Sequence, residues 1–201
     1  MRFHLGAVPT SPDFAPDVSW KPLREPSPWL AQFIALPIGV VTAALVAVLW
    51  FAITPLRDDQ FPSSLLMFLL LYAGILVVHE LIHAAVHPLA GRSEYSIIGF
   101  WPSRMVAYAH YDGELSRNRF IAILLMPLLV LSVLPLIVAA ALQSASGWVA
   151  FVSFFNALLA CVDLLGAGVV LFQIPVHAIV RNQGWRTYWR EHRRLAERLP
   201  C

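Results

Sequence analysis

Ser63-Ser-Leu-Leu-Met-Phe-Leu-Leu-Leu-Tyr-Ala-Gly-Ile-Leu-Val-Val-His79-Glu80-Leu81-Ile82-His83-Ala-Ala-Val86 is an apolar run with three ionisable residues near its end. As a helix rising ~1.5 Å per residue, it is long enough to cross roughly 30 Å of bilayer hydrocarbon. Ionisable groups in such a run are costly and mark a functional site by default. His79 and His83 stand four apart, so both imidazoles leave one helical face and can reach one metal ion. Glu80 between them lies near the open coordination position, where it can take a proton from water. The bland alternative, a polar cluster joining helices, gives no reason for this spacing.

Working outward, three further segments have the same apolar character: about Trp29–Thr54, Arg119–Leu142 and Trp148–Pro175. The chain has 201 residues, 59% hydrophobic and only 13% charged, against about 25% charged in soluble domains. The fold class expected is therefore an all-α membrane protein with about four transmembrane helices. Three parts are expected: a Pro-rich, mostly irregular tail over 1–28, a transmembrane unit over 29–180, and a basic tail over 181–201. Residues 1–28 show no apolar stretch of signal-peptide type behind Arg2. Cys161 and Cys201 fit no disulfide framework.

Charge placement sets an expected orientation. With four spans, 13 of the 14 Lys and Arg residues share one side and only Arg57 lies opposite. Both termini are then cytoplasmic by the positive-inside rule. The expectation is a multi-pass protein of a bacterial cytoplasmic membrane, the source inferred from composition alone. Trp29, Trp50 and Trp148 fall at span ends, where indoles favour the membrane interface.

Two segments between and after the spans are expected to be ordered. Tyr95–Trp101 and Arg104–His110 are rich in β-formers around Pro102-Ser103, which predicts a small β-hairpin between the second and third spans. Ser116 is placed to cap the third helix. From Trp185 to Leu199, aromatic and aliphatic residues fall on one side at ~100° per residue and arginines on the other. That predicts an amphipathic interfacial helix on anionic lipid, and the aromatic face argues against a nucleic-acid arm.

A zinc site needs a third protein ligand. Asp163 is the one charged residue between Trp148 and His177, at a depth within about a turn of His79. His87 follows His83 by four, but on a regular helix it is rotated ~80° from His79 and ~12 Å along the axis. His110 on the hairpin is a further outsider as a ligand. Asn156, seven residues before Asp163, shares its face; it can bond a substrate backbone or oxyanion, or equally a neighbouring helix. Tyr108 and His110 are the candidate substrate contacts on the hairpin.

These motifs together resemble the membrane-embedded zincins related to site-2 proteases, and in particular a small family of zincin peptidases of unassigned function. The resemblance runs from His79 through the Gly91 region, Tyr108-Ala-His110, Leu115-Ser116 and Met126-Pro127-Leu128 to Asn156 and Asp163. It implies Zn2+ as cofactor, His79, His83 and Asp163 as ligands, Glu80 as catalytic base, and a membrane protein or peptide as substrate held near the hairpin. Site-2 proteases carry prolines between that Asn and Asp and a Gly directly after the Asp; here Leu164 follows Asp163 and no proline lies between Asn156 and Asp163. A less broken helix is expected there, with a bearing on substrate access. The alternative class is a non-catalytic zinc protein, a transporter or sensor, which would have no need of Glu80. A chain this small with four spans also has reason to form a homo-oligomer around its site.

Overall fold

The computed structural model describes residues 1–53, 64–144 and 146–191. Helix α1 (Pro28–Ile53) and helix α2 (Leu65–Val86) are followed by a β-hairpin, β3 (Ser96–Trp101) and β4 (Val106–Tyr111). Two short strands precede α1, β1 (Arg2–Leu5) and β2 (Lys21–Pro22), and β5 (Leu115–Ser116) leads directly into α3 (Arg117–Leu128). A π-helical turn over Leu129–Val133 joins α3 to α4 (Leu134–Leu142). Helices α5 (Gly147–Leu159) and α6 (Cys161–Gln173) then lead to a second hairpin, β6 (Ala178–Gln183) and β7 (Arg186–Glu191).

Pro28–Ile53, Leu65–Val86 and Arg117–Leu142 are each long and apolar enough to cross a membrane. The α5–α6 pair makes a fourth if counted as one span bent by 49°. Helix α1 turns a stripe of Ala31, Ala35, Gly39 and Ala43 inward, continued by Val46 and Trp50, while Phe33, Val41 and Phe51 point out. With apolar groups on both sides, small residues that allow close approach decide which face packs. At Gly39 an added Cβ would lie 2.7 Å from Cys161 Cβ and 2.8 Å from the Leu158 carbonyl oxygen, so α1 closes against the α5–α6 break only because this residue is glycine. Trp50, expected at the interface, is instead buried at 1% exposure, and its indole N–H donates to Ser153 Oγ at 3.0 Å.

The strands gather at one end in two sheets, ordered β1-β3-β4 and β2-β7-β6-β5. The expected hairpin is present, with Ile97 opposite His110 and Gly99 opposite Tyr108. Ser116 caps α3 by accepting from the Arg119 N–H at 3.3 Å. Two expectations need correction. The N-terminal residues are mostly irregular, as expected, but they are not a free tail: β1 runs parallel to β3, and β2 pairs with β7. The segment expected to begin an interfacial helix at Trp185 is strand over 186–191, and 192–201 lie outside the described residues. The physical reason is Gly184, whose φ of +59° allows a tight turn between β6 and β7. Once turned, β7 is held on both edges, by β6 and by β2.

Candidate metal centre

Helix α2 is turned opposite to an amphipathic helix in water. Its buried residues are Ile75, His79, Glu80, His83 and Ala84, while Leu65, Leu70 and Val77 face out. Its polar side chains thus face the interior and its apolar ones face out, an arrangement compatible with a membrane protein.

Asp163 reaches the two histidines because the α5–α6 helix breaks at Ala160. The break needs neither proline nor glycine, contrary to the expectation of a less broken helix here. It places Asp163 in the first turn of α6, where unsatisfied backbone N–H groups favour an anion. Asp163 Oδ2 lies 3.0 Å from His79 Nε2 and 3.4 Å from His83 Nε2, and the two Nε2 atoms are 3.1 Å apart.

The protonation of this triangle follows from its surroundings. His83 Nδ1 faces the Ile123 carbonyl at 2.7 Å, an acceptor only, so Nδ1 carries the proton. Asn156 Nδ2 donates to the Pro127 carbonyl and to Ser132 Oγ, each at 2.9 Å. That leaves Asn156 Oδ1 to accept from His79 Nδ1, also at 2.9 Å. Each neutral imidazole has one N–H, so both Nε2 lone pairs point at each other and at a carboxylate oxygen. Three electron-pair donors this close repel unless a cation lies between them. Their separations also match tetrahedral ligation: bonds of ~2.0–2.1 Å place ligand atoms about 3.3 Å apart. The residues present therefore fit a zinc ion.

Glu80 lies beside the triangle. Its carboxyl comes within 4.8 Å of the imidazole donors, so His79, Glu80 and His83 by themselves also make a group able to hold a metal. Asp163 is the better third donor by geometry, because a single oxygen meets both Nε2 atoms. Glu80 is turned instead toward the backbone N–H of Ala109 in β4.

A cavity of about 470 Å3 joins these groups to β4 and to the second hairpin, with Leu36, Leu76 and Phe120 among its apolar walls. β4 is the outer strand of its sheet. The Asp112 N–H donates to the Tyr95 carbonyl at 2.8 Å, which sets the hydrogen-bonding phase of the hairpin. Val106, Tyr108 and His110 therefore bond to β3, and the backbone groups of Ala107, Ala109 and Tyr111 face away from it.

The expected substrate contacts fare differently. Asn156 is fully buried with both ends of its amide engaged, its bonds going to His79, the Pro127 carbonyl and Ser132. The Tyr108 hydroxyl lies 3.2 Å from the Gly6 carbonyl and 3.3 Å from that of Ala7, its ring against Gly99. It ties the N-terminal strand to the hairpin. His110 is buried on β4 at the cavity wall, and burial pushes its imidazole down to about 4. His87 ends α2 with Nδ1 3.2 Å from Ser96 Oγ and burial likewise pushes it to about 4, so it takes no part in the triangle. The signal that sequence reasoning missed is the Ile123 carbonyl: a backbone acceptor for a metal ligand leaves no trace in residue type.

Residues 72–179 match a family model described as "Putative zincin peptidase". The match takes in His79, Glu80, His83, Asn156 and Asp163. No curated protein and no solved structure matches the chain.

Proposed function

Since the chain belongs to the zincin peptidase family, we propose that it is a zinc metallopeptidase embedded in a membrane, of the site-2-protease type, cutting peptide bonds within or beside the bilayer. The observation that carries this reading is the buried triangle of His79 Nε2, His83 Nε2 and Asp163 Oδ2 with Glu80 at its side, set among helices whose outer faces are apolar. His79, His83 and Asp163 would hold the metal. A zinc ion held there would act as a Lewis acid, acidifying water and polarising a carbonyl.

The chain's own residues supply the rest. Glu80 takes the proton of the attacking water and returns it to the amide nitrogen as the C–N bond breaks. Burial among apolar helices keeps bulk water from the carboxylate. A helical substrate hides its amides in internal hydrogen bonds and has to unwind first. The outward N–H and C=O groups of Ala107, Ala109 and Tyr111 offer it a strand partner, by β-augmentation. The tie from Glu80 to the Ala109 N–H brings that edge next to the base. The concentration of Arg and Lys at the sheet-bearing end supports a cytoplasmic placement of that end, facing anionic lipid.

Glu80→Gln keeps the shape of the side chain and removes its basicity. The variant is expected to bind zinc like wild type and to lose cleavage of a co-expressed single-span substrate by at least ~100-fold. Retained cleavage would sink the assignment. Zinc flux into liposomes, unaffected by that substitution, would favour a transporter instead.

A further inference from the structure

Helix α3 contains a proline, Pro127, that is fully buried and two residues short of the π-helical turn. A proline inside a helix lacks the N–H that would bond the carbonyl four residues back, and its ring pushes that carbonyl off the helix axis. Four residues before Pro127 is Ile123. The Ile123 carbonyl is the group that accepts the His83 Nδ1 proton at 2.7 Å. The other end of the same residue is also engaged: the Pro127 carbonyl accepts from Asn156 Nδ2 at 2.9 Å, and Asn156 Oδ1 faces His79 Nδ1 at 2.9 Å. One residue therefore stands behind both imidazoles, through an orphaned carbonyl on one side and through an amide on the other.

We propose that Pro127 is a positioning residue of the metal centre, whose missing N–H releases the Ile123 carbonyl to fix His83 in the tautomer with Nε2 free and whose own carbonyl fixes Asn156 against His79. The proposal rests on the zinc reading above. Hydrogen-bond partners behind metal-bound histidines typically set metal affinity by 10–100-fold, and here the partner behind His83 is a carbonyl for which no helical N–H at residue 127 competes. The π-helical turn that follows continues the disturbance, carrying Ser132 to where its Oγ accepts the second Asn156 N–H at 2.9 Å.

The test is Pro127→Ala in the full-length chain purified in detergent, beside wild type and Pro135→Ala, which makes the same change in α4 away from the histidines. Alanine restores an N–H able to reclaim the Ile123 carbonyl. Zinc affinity, read by competition with a chelator, is expected to fall by about 10–100-fold. The thermal midpoint of the metal-free protein is expected to stay level or rise, because alanine suits a helix interior better than proline. In metal-free protein carrying 15N-labelled histidine, held alkaline enough for His83 to be neutral, its signals are expected to move from a pure Nδ1–H form toward a mixture of tautomers. Pro135→Ala should match wild type in affinity and tautomer. Affinity within twofold of wild type with an unchanged His83 tautomer overturns the proposal. So does a joint fall in affinity and thermal midpoint with that tautomer unchanged, the mark of a proline that only packs. Wild type that binds no zinc defeats the zinc reading instead, and the tautomer comparison then still decides whether Pro127 governs His83.

Discussion

Among the described residues two pairs of histidines are buried, and they are built for different ends. His79 and His83 each give their Nδ1 proton to a fixed oxygen, and their bare Nε2 atoms converge on Asp163. His87 and His110 are buried as deeply, at 1% and 4% exposure. His87 is instead engaged with the hydroxyl of Ser96, and burial holds both rings neutral, near a value of about 4. Burial alone therefore does not make a metal site. What separates the pairs is an anionic third donor, together with carbonyl or amide oxygens that direct the lone pairs inward. Breaking either feature should move the first pair toward the second.

The largest expected effect comes from the anionic donor. Asp163→Ala leaves two imidazoles without a carboxylate and is expected to reduce bound zinc from near one per chain to a small fraction. His87→Ala should leave the zinc content of purified protein at the wild-type level. Loss of zinc in both variants would erase the distinction, and retention in both would place the third ligand elsewhere, with Glu80 the next candidate by distance.

A smaller effect should appear in pH dependence. His110 titrates near 4 when folded, against an ordinary value of 6.5. Below 6.5 the unfolded chain binds a proton that the folded chain refuses, so the contribution is present in full above 6.5 and lost as pH falls toward 4. A gap of this size amounts to roughly 3 kcal/mol. Thermal unfolding of the metal-free protein between pH 7 and 4 should show a steeper loss of stability in wild type than in His110→Gln. Parallel curves would mean that the ring is already solvated in the fold.

These contrasts also mark what could be read from the residues alone. The long apolar helices, the hairpin at Pro102-Ser103 and the Ser116 cap depend on neighbours within a few positions, and each left a local pattern. So did the spacing of His79 and His83. The parallel pairing of Arg2–Leu5 with Ile97–Phe100 joins segments more than ninety residues apart, and no periodicity announces it. The stretch 186–191 carries aromatic and basic residues that look two-faced at a helical period, and Thr187, Tyr188 and Trp189 suit a strand equally well. Gly184 and the pairing with β2 decide between them. The break at Ala160 is the hardest case. It coincides with the close approach of α1 at Gly39, a contact between two packed helices that the residues at the break do not announce.

The finest comparison sets one serine behind each histidine pair. Ser132 accepts from Asn156 Nδ2, donates to the Ser153 carbonyl at 2.7 Å, and so steadies the amide that holds His79. Ser96 is engaged with His87 Nδ1 and has no connection to Asp163. Both are fully buried, so Ser→Ala should remove similar bonds and cost about 1 kcal/mol of stability in each case. Only Ser132→Ala should also weaken zinc, by a few-fold, because the amide keeps its bond to the Pro127 carbonyl and loses a single restraint. Equal zinc affinities in the two variants would show that the Pro127 carbonyl alone is enough to hold Asn156, and would confine the control of His79 to one hydrogen bond.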